Sequence, residues 1–305
     1  MKATPTISAA LAVLLPLLPS CASLGTNSSR ASASSAALPH HVSLTNATGT
    51  LRLAVSAESI GPMRLQAYGD TLIDTAFPRS STDARPWVRV GDMNFSVIDA
   101  VQPVPATVLR SNDWQYLRID GATAANGILK SARRHMLLIE PDLVVVLDEL
   151  ELANSTYLDI QLSSLQPFRH DIVRDEWTLN SEHAGLVARF LSLPKAVQSW
   201  NAPAASGSSR GTTNSAAGWM RSVVTESGPE FHHLAIFAVH TNQARRSLSF
   251  KLLESDTAIG ARIHRDGLPT LVAFRKVSCS GEANLTGLKF TKPVAVDVFR
   301  PKPRK

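Results

Sequence analysis

The run Leu143-Val144-Val145-Val146-Leu147 is apolar at every position and closes on Asp148. A strand sends alternate side chains to opposite faces, so this one offers apolar surface on both. Such a strand belongs centrally in a sheet, with a second layer over it. No segment carries a sustained apolar stripe at helical spacing; alternation and short apolar runs recur instead, which argues for strands throughout. Residues 63–68 and 71–75 flank Gly69-Asp70, and residues 87–90 and 94–98 flank a loop that begins Gly91-Asp92. Both pairs are expected as β-hairpins around glycine-containing turns. Residues 133–140 turn through Pro141-Asp142 into the apolar run. Further strand-like runs cover 156–162, 185–193, 219–225, 231–240, 247–253, 268–276 and 294–299. Regular spacing of this kind predicts an all-β fold, a large antiparallel two-layer β-sandwich, rather than βαβ units. A small-residue polar stretch, 202–217, interrupts it as a flexible loop, either disordered or a flap over a binding face.

With 44% hydrophobic and 18% charged residues and 16 glycines, the composition excludes a disordered or collagen-like chain. Two cysteines exclude a disulfide framework. The formal charge of +6 does not mark a nucleic-acid face: Arg300, Lys302, Arg304, Lys305 and Lys2 carry five of the positives, leaving a body near +1. No nucleic-acid partner is expected.

Lys2 precedes an uncharged apolar run over 7–18, followed by Pro19-Ser20-Cys21-Ala22-Ser23. This is the layout of an export signal over 1–21, and the run is short of the roughly 20 residues that span a bilayer. Leu18-Pro19-Ser20-Cys21 resembles a bacterial lipobox, whose cysteine is acylated and becomes the new N-terminus; Pro19 departs from the usual small or aliphatic residue. Ordinary signal-peptidase cleavage after Ala22 is the alternative. The Ser/Ala-rich stretch 22–37 reads as a flexible tether, and 38–305 as a single sandwich domain. The chain is thus expected in the periplasm or cell envelope, as an outer-membrane lipoprotein that touches the membrane through Cys21 alone. Cys279 would be left unpaired.

Between 114 and 120 the sequence alternates so that Trp114, Tyr116 and Arg118 share one face while Leu117 and Ile119 take the other. The first three form a candidate sugar platform, because aromatic faces stack on sugar C–H surfaces and arginine pairs with an acid. Packing of the aromatics into the interior is the competing reading. In Arg133-Arg134-His135 the first and third residues share a face. Arg133 could grip a sugar carboxylate bidentately, with His135 beside it; a charged strand guarding a sheet edge is the alternative. His232 and His240 share a face and His233 takes the other, but no third ligand is identified for a metal, so satisfied strand histidines are favoured.

Three ordered motifs add a resemblance. Thr71-Leu72-Ile73-Asp74, Met93-Asn94-Phe95-Ser96-Val97-Ile98-Asp99 and the Arg133-to-Asp148 hairpin resemble the C-terminal β-sandwich of the heparinase II/III-like polysaccharide lyases. The resemblance implies a sandwich that in family enzymes follows a helical toroid carrying most of the catalytic groups. Too little sequence lies ahead of Leu51 to hold that toroid, so a separate toroid-bearing chain is a candidate partner. It also implies a metal position at Asp74, but Met93 stands where the family has histidine, and a thioether is a poor zinc ligand beside imidazole. No cofactor is therefore expected, with zinc the one candidate. β-Elimination across a uronic acid needs a base, a donor for the leaving oxygen and neutralisation of the carboxylate. No motif brings a tyrosine and a histidine together, and no catalytic residue is assigned. The expected function is that of an exported, lipid-anchored binder of acidic polysaccharide without a complete catalytic site. An active lyase or its partner subunit, and a structural envelope lipoprotein, are the alternatives.

Overall fold

A computed structural model of the chain describes residues 32–34, 41–56, 60, 63–75, 88–91, 93–95, 106–121, 128–203, 219–242 and 247–298. The export signal with Cys21, nearly all of the tether, residues 204–217 of the expected loop and the basic tail lie outside these. Every described element is a strand, apart from turns and bends.

The apolar run forms the Leu143–Thr156 strand, fifth in a nine-stranded antiparallel sheet. Across this sheet the order is Ser32–Ser34, Ala106–Arg110, Trp114–Gly121, Leu129–Ile139, Leu143–Thr156, Gly228–Thr241, Ala184–Leu193, Glu176–Asn180 and Arg169–Asp171. Ser32–Ser34 falls inside the stretch expected to be tether, yet pairs as an edge strand with Ala106–Arg110. The hairpin from Leu129–Ile139 into Leu143–Thr156 turns at Glu140-Pro141-Asp142, with Ile139 opposite Leu143.

A second sheet is built on Leu158–Ser164, Asp70–Asp74, Met63–Ala67, Leu51–Ser56 and His41–Thr45, with Trp219–Thr225 and Ala196–Pro203 beyond. Both expected hairpins are in it. The first closes through Tyr68 and Gly69, whose φ values of 50° and 90° make the left-handed two-residue turn that matches strand twist. The second pairs Val88–Val90 with Met93–Phe95. A four-stranded sheet of Leu248–Glu254, Ala258–Arg265, Leu268–Arg275 and Val294–Val298 forms a further layer.

The sandwich is therefore present, and it carries a layer more than the pattern indicated. On one face of the central sheet, Leu117, Met136, Leu138, Val144, Val146, Phe231 and Phe237 pack with Leu53, Leu65, Ile73 and Ile160 of the second sheet. On the other face, Tyr116, Leu137, Val145, Leu147, Leu234 and Ile236 pack with Ile259, Ile263, Val272 and Phe274 of the four-stranded sheet. Val144 and Val146 serve one core while Val145 and Leu147 serve the other, which accounts for a run with no polar position. The turn at its start is held from both sides: Asn46 Nδ2 donates to Pro141 O at 2.8 Å, and Arg265 pairs with Asp142.

Candidate anion-binding site

The face of the central sheet that meets the four-stranded layer turns from apolar to charged along the strands. Strand register sets Asp120, Arg133, Glu149 and His232 in one row across four neighbouring strands. The adjacent row holds Arg118, His135, Leu147 and Leu234. Alternation alone puts each of these side chains on the same face, and pairing brings them within reach of one another.

Asp120 is bracketed by two arginines. Arg118 Nη2 donates to its Oδ2 at 2.9 Å, and Arg133 Nε lies 3.2 Å from its Oδ1. Glu149 is bracketed by two imidazoles, with His135 Nε2 at 2.7 Å from Oε2 and His232 Nε2 at 3.5 Å from Oε1. A carboxylate can only accept, so His135 carries a proton on Nε2. Its other nitrogen, Nδ1, is 2.8 Å from the Tyr116 hydroxyl. Tyrosine and histidine, far apart in every motif of the sequence, are thus joined by the pairing of Trp114–Gly121 with Leu129–Ile139.

The environment fixes the state of these groups. Burial pushes the Tyr116 hydroxyl well above its ordinary range, so it stays protonated. Burial also acts to raise the Glu149 carboxyl, but hydrogen bonds and charge from His135 and His232 outweigh it and hold the group well below the usual carboxylate range. Phe274 closes the chain from the opposite layer, its ring edge-on to His135 at 5.4 Å and tilted against Tyr116 at 6.5 Å.

Above these rows lies a recess of about 170 Å³ lined by Arg118, Arg133, His135, Glu149, Arg275, Lys276, Val277, Cys279 and Pro293. Arg275 and Lys276 come from the end of the four-stranded layer. Arg275 Nη1 donates to Thr291 O at 2.7 Å and Lys276 Nζ to Glu254 Oε1 at 2.7 Å, which anchors both at the rim. Four permanent cations surround a space the size of one small anionic group, with Asp120 held between Arg118 and Arg133, Glu254 on Lys276 and Glu149 in the lining. Such a site can take up an oxyanion by charge-assisted hydrogen bonds. It has no open base in Tyr116 or His135: the tyrosine is fully enclosed, and both nitrogens of His135 are already engaged.

Of the residues singled out by sequence, Arg118, Arg133 and His135 converge on the recess. Tyr116 lies on the same face with its ring fully enclosed, and Trp114 is partly buried against the same core. Arg133 is not an edge guard, because Leu129–Ile139 is the fourth of nine strands. Glu149, Arg275 and Lys276 were missed, and His232 was read only as a strand histidine. Continuing the alternation two residues past Leu147 would have put Glu149 on the face of Val145, but only register shows that it meets His135.

Asp74 sits in the second sheet and is engaged by Arg64, whose Nη2 donates to Oδ2 at 2.9 Å. The backbone of Met93 pairs opposite Val90, and its side chain lies outside the description. Among the described residues, no three His, Cys, Asp or Glu side chains group so as to hold a metal ion. His233 takes the face opposite His232, where its Nδ1 lies 2.8 Å from Ser192 Oγ, a satisfied strand histidine. The Ala202 end of the expected loop is in strand, and the remainder lies outside the described residues.

Among solved structures, a heparan sulfate lyase HepC mutant from Pedobacter heparinus superposes with a TM-score of 0.55 at 12% identity, over 74% of this chain and 39% of that one. A heparinase III structure gives 0.56 at 12% identity, over 79% of this chain and 42% of its own. The fold is heparinase-like. The chain spans about 40% of the length of these lyases. No family model and no curated protein matches the sequence.

Proposed function

We propose that this chain binds acidic polysaccharide through the basic recess and does not itself carry out elimination. The observation that carries the reading is the recess: Arg118, Arg133, Arg275 and Lys276 around a space that admits one carboxylate or sulfate, with Tyr116 enclosed and both nitrogens of His135 engaged. An arginine that meets a carboxylate through charge-assisted bonds contributes about 1.5–3 kcal/mol. The likeness to glycan lyases in fold supports a glycan as the bearer of that charge. The export signal and the Leu18-Pro19-Ser20-Cys21 motif support a lipid anchor in the cell envelope.

The test is retention of polygalacturonate, alginate and heparin by the purified protein, with ultraviolet detection of unsaturated uronates. Retention without product is expected, and Arg118→Gln or Arg133→Gln should weaken it by about tenfold each. Product formation would establish the lyase alternative. Unchanged retention in both arginine variants would remove the recess from the account, and no retention at all would favour a structural envelope protein. Cys21→Ser should move the protein from the membrane to the soluble envelope fraction.

A further inference from the structure

A second hollow, a cleft of about 550 Å³, lies at the other end of the four-stranded layer. The two are separated by the length of the Leu268–Arg275 strand: Arg275 lines the recess, and Gly267, just before the strand, lines the cleft. Arg174, Glu176, Ser249 and His264 supply the cleft with hydrogen-bond donors and acceptors, and Leu248 gives it an apolar wall. Sugar hydroxyls, which donate and accept, match such a lining.

One strand joins the two hollows. Leu248–Glu254 is an edge of the four-stranded layer. At one end Glu254 accepts from Lys276 Nζ at the recess rim, and at the other Leu248 and Ser249 enter the cleft. At about 3.3 Å per residue, the ends of the strand are about 20 Å apart. Midway stands Lys251, directly opposite Arg262 on the neighbouring strand. Alternation turns both away from the core shared with the central sheet, and both are exposed. His264 follows on the same face, opposite Ser249.

Like charges directly opposite each other destabilise a strand pair. Among the described residues neither Lys251 nor Arg262 has an ion-pair partner, and the carboxylate of their row, Asp297, lies beyond Leu271. The other acids nearby are at the ends of the strand: Glu254 on Lys276, Glu176 in the cleft, and Asp266, which accepts from Ser247 N. An uncompensated cation pair thus sits between two polar hollows, where a chain bearing repeated negative charge would neutralise it.

We propose that acidic glycan is held as an extended chain along Leu248–Glu254, with one acidic residue in the recess, another charge on Lys251 and Arg262, and further sugar units in the cleft. The proposal rests on the reading of the recess as a glycan site and names its substrate class, an oligomer long enough to span about 20 Å. Each later contact is made by a group already tethered at the first, so it adds through effective concentration.

The experiment is calorimetric titration of the purified protein with galacturonate trimer and dodecamer at one pH and one ionic strength. The trimer is too short to run from recess to cleft, and the dodecamer reaches both. The dodecamer should bind about a hundredfold tighter, against the roughly tenfold that its overlapping trimer registers supply by statistics alone. Lys251→Gln combined with Arg262→Gln should weaken the dodecamer by about five- to tenfold and leave the trimer within about twofold. Arg174→Gln should likewise act on the dodecamer alone, whereas Arg133→Gln should weaken both lengths. A gain with length no greater than the statistical one, or a dodecamer that binds the Lys251 and Arg262 double variant as it binds the wild type, overturns the extended path. In either case continued dependence on Arg133 leaves the recess reading standing. Dodecamer binding that ignores Arg133→Gln overturns both, since the chain would then bypass the recess, and so does the absence of binding at both lengths.

Discussion

His233 ties the stability of the sandwich to pH. It lies on the face of the central sheet opposite His232, with its ring stacked over Phe190 at 6.1 Å and Nδ1 2.8 Å from Ser192 Oγ. Burial, reinforced by the positive charges of Arg221 and Arg134, lowers its pKa from 6.5 to about 3. The folded protein therefore keeps this imidazole neutral while the unfolded chain protonates it. A histidine depressed in this way contributes its full stability above pH 6.5 and loses it as pH falls from there toward 3, at up to about 1.4 kcal/mol per pH unit. Between pH 7 and pH 5 the loss from this residue alone is about 2 kcal/mol. His233→Gln removes the titration and retains a polar partner for Ser192. Urea unfolding of both proteins at pH 7 and pH 5 isolates the term as a double difference, so any constant effect of the substitution cancels. The wild type should lose about 2 kcal/mol more than the variant. Equal losses would refute the assignment of a neutral, enclosed imidazole at this position.

Two further outcomes follow from the packing. Asp148→Asn removes the charge that meets Arg134 through Nε at 2.6 Å and Nη2 at 3.0 Å, and both side chains are almost wholly buried. A loss of about 3–5 kcal/mol in urea unfolding is expected from removing one charge of a buried pair. Gly260→Ala would bring a Cβ to 1.9 Å from Val272 O and 2.9 Å from Ala273 Cα, contacts that only a backbone shift could relieve. It should loosen the four-stranded layer, read as rapid proteolysis within 247–298, and weaken anion retention through displacement of Arg275 and Lys276.

The layering was legible to the extent that it depends on local pattern. Uniform apolarity from Leu143 to Leu147 marked a central strand, and the glycine turn after Tyr68 marked a hairpin. The further layer was not legible, because alternating strands such as Ala258–Arg265 do not declare which sheet they join. The site divides in the same way. Alternation put Arg133 with His135 and Arg118 with Tyr116, and the structure keeps both pairings. It could not bring His135 to Glu149, or Lys276 over both, since those meetings depend on register and on how one layer settles upon another. Tyr116 shows the limit most plainly, because an aromatic facing a ligand and one facing a second core have the same place in an alternating pattern.

The double covering of Leu143–Thr156 also bears on how the protein is made. One of its neighbours, Leu129–Ile139, precedes it directly, whereas the other, Gly228–Thr241, and the whole four-stranded layer come much later in the chain. A polypeptide emerging N-terminus first would therefore present a hairpin with an open hydrogen-bonding edge and an uncovered apolar face until those segments arrive. That interval is where strand-to-strand aggregation competes with folding, and the remedy is an escort that shields the hairpin, not a more stable final state.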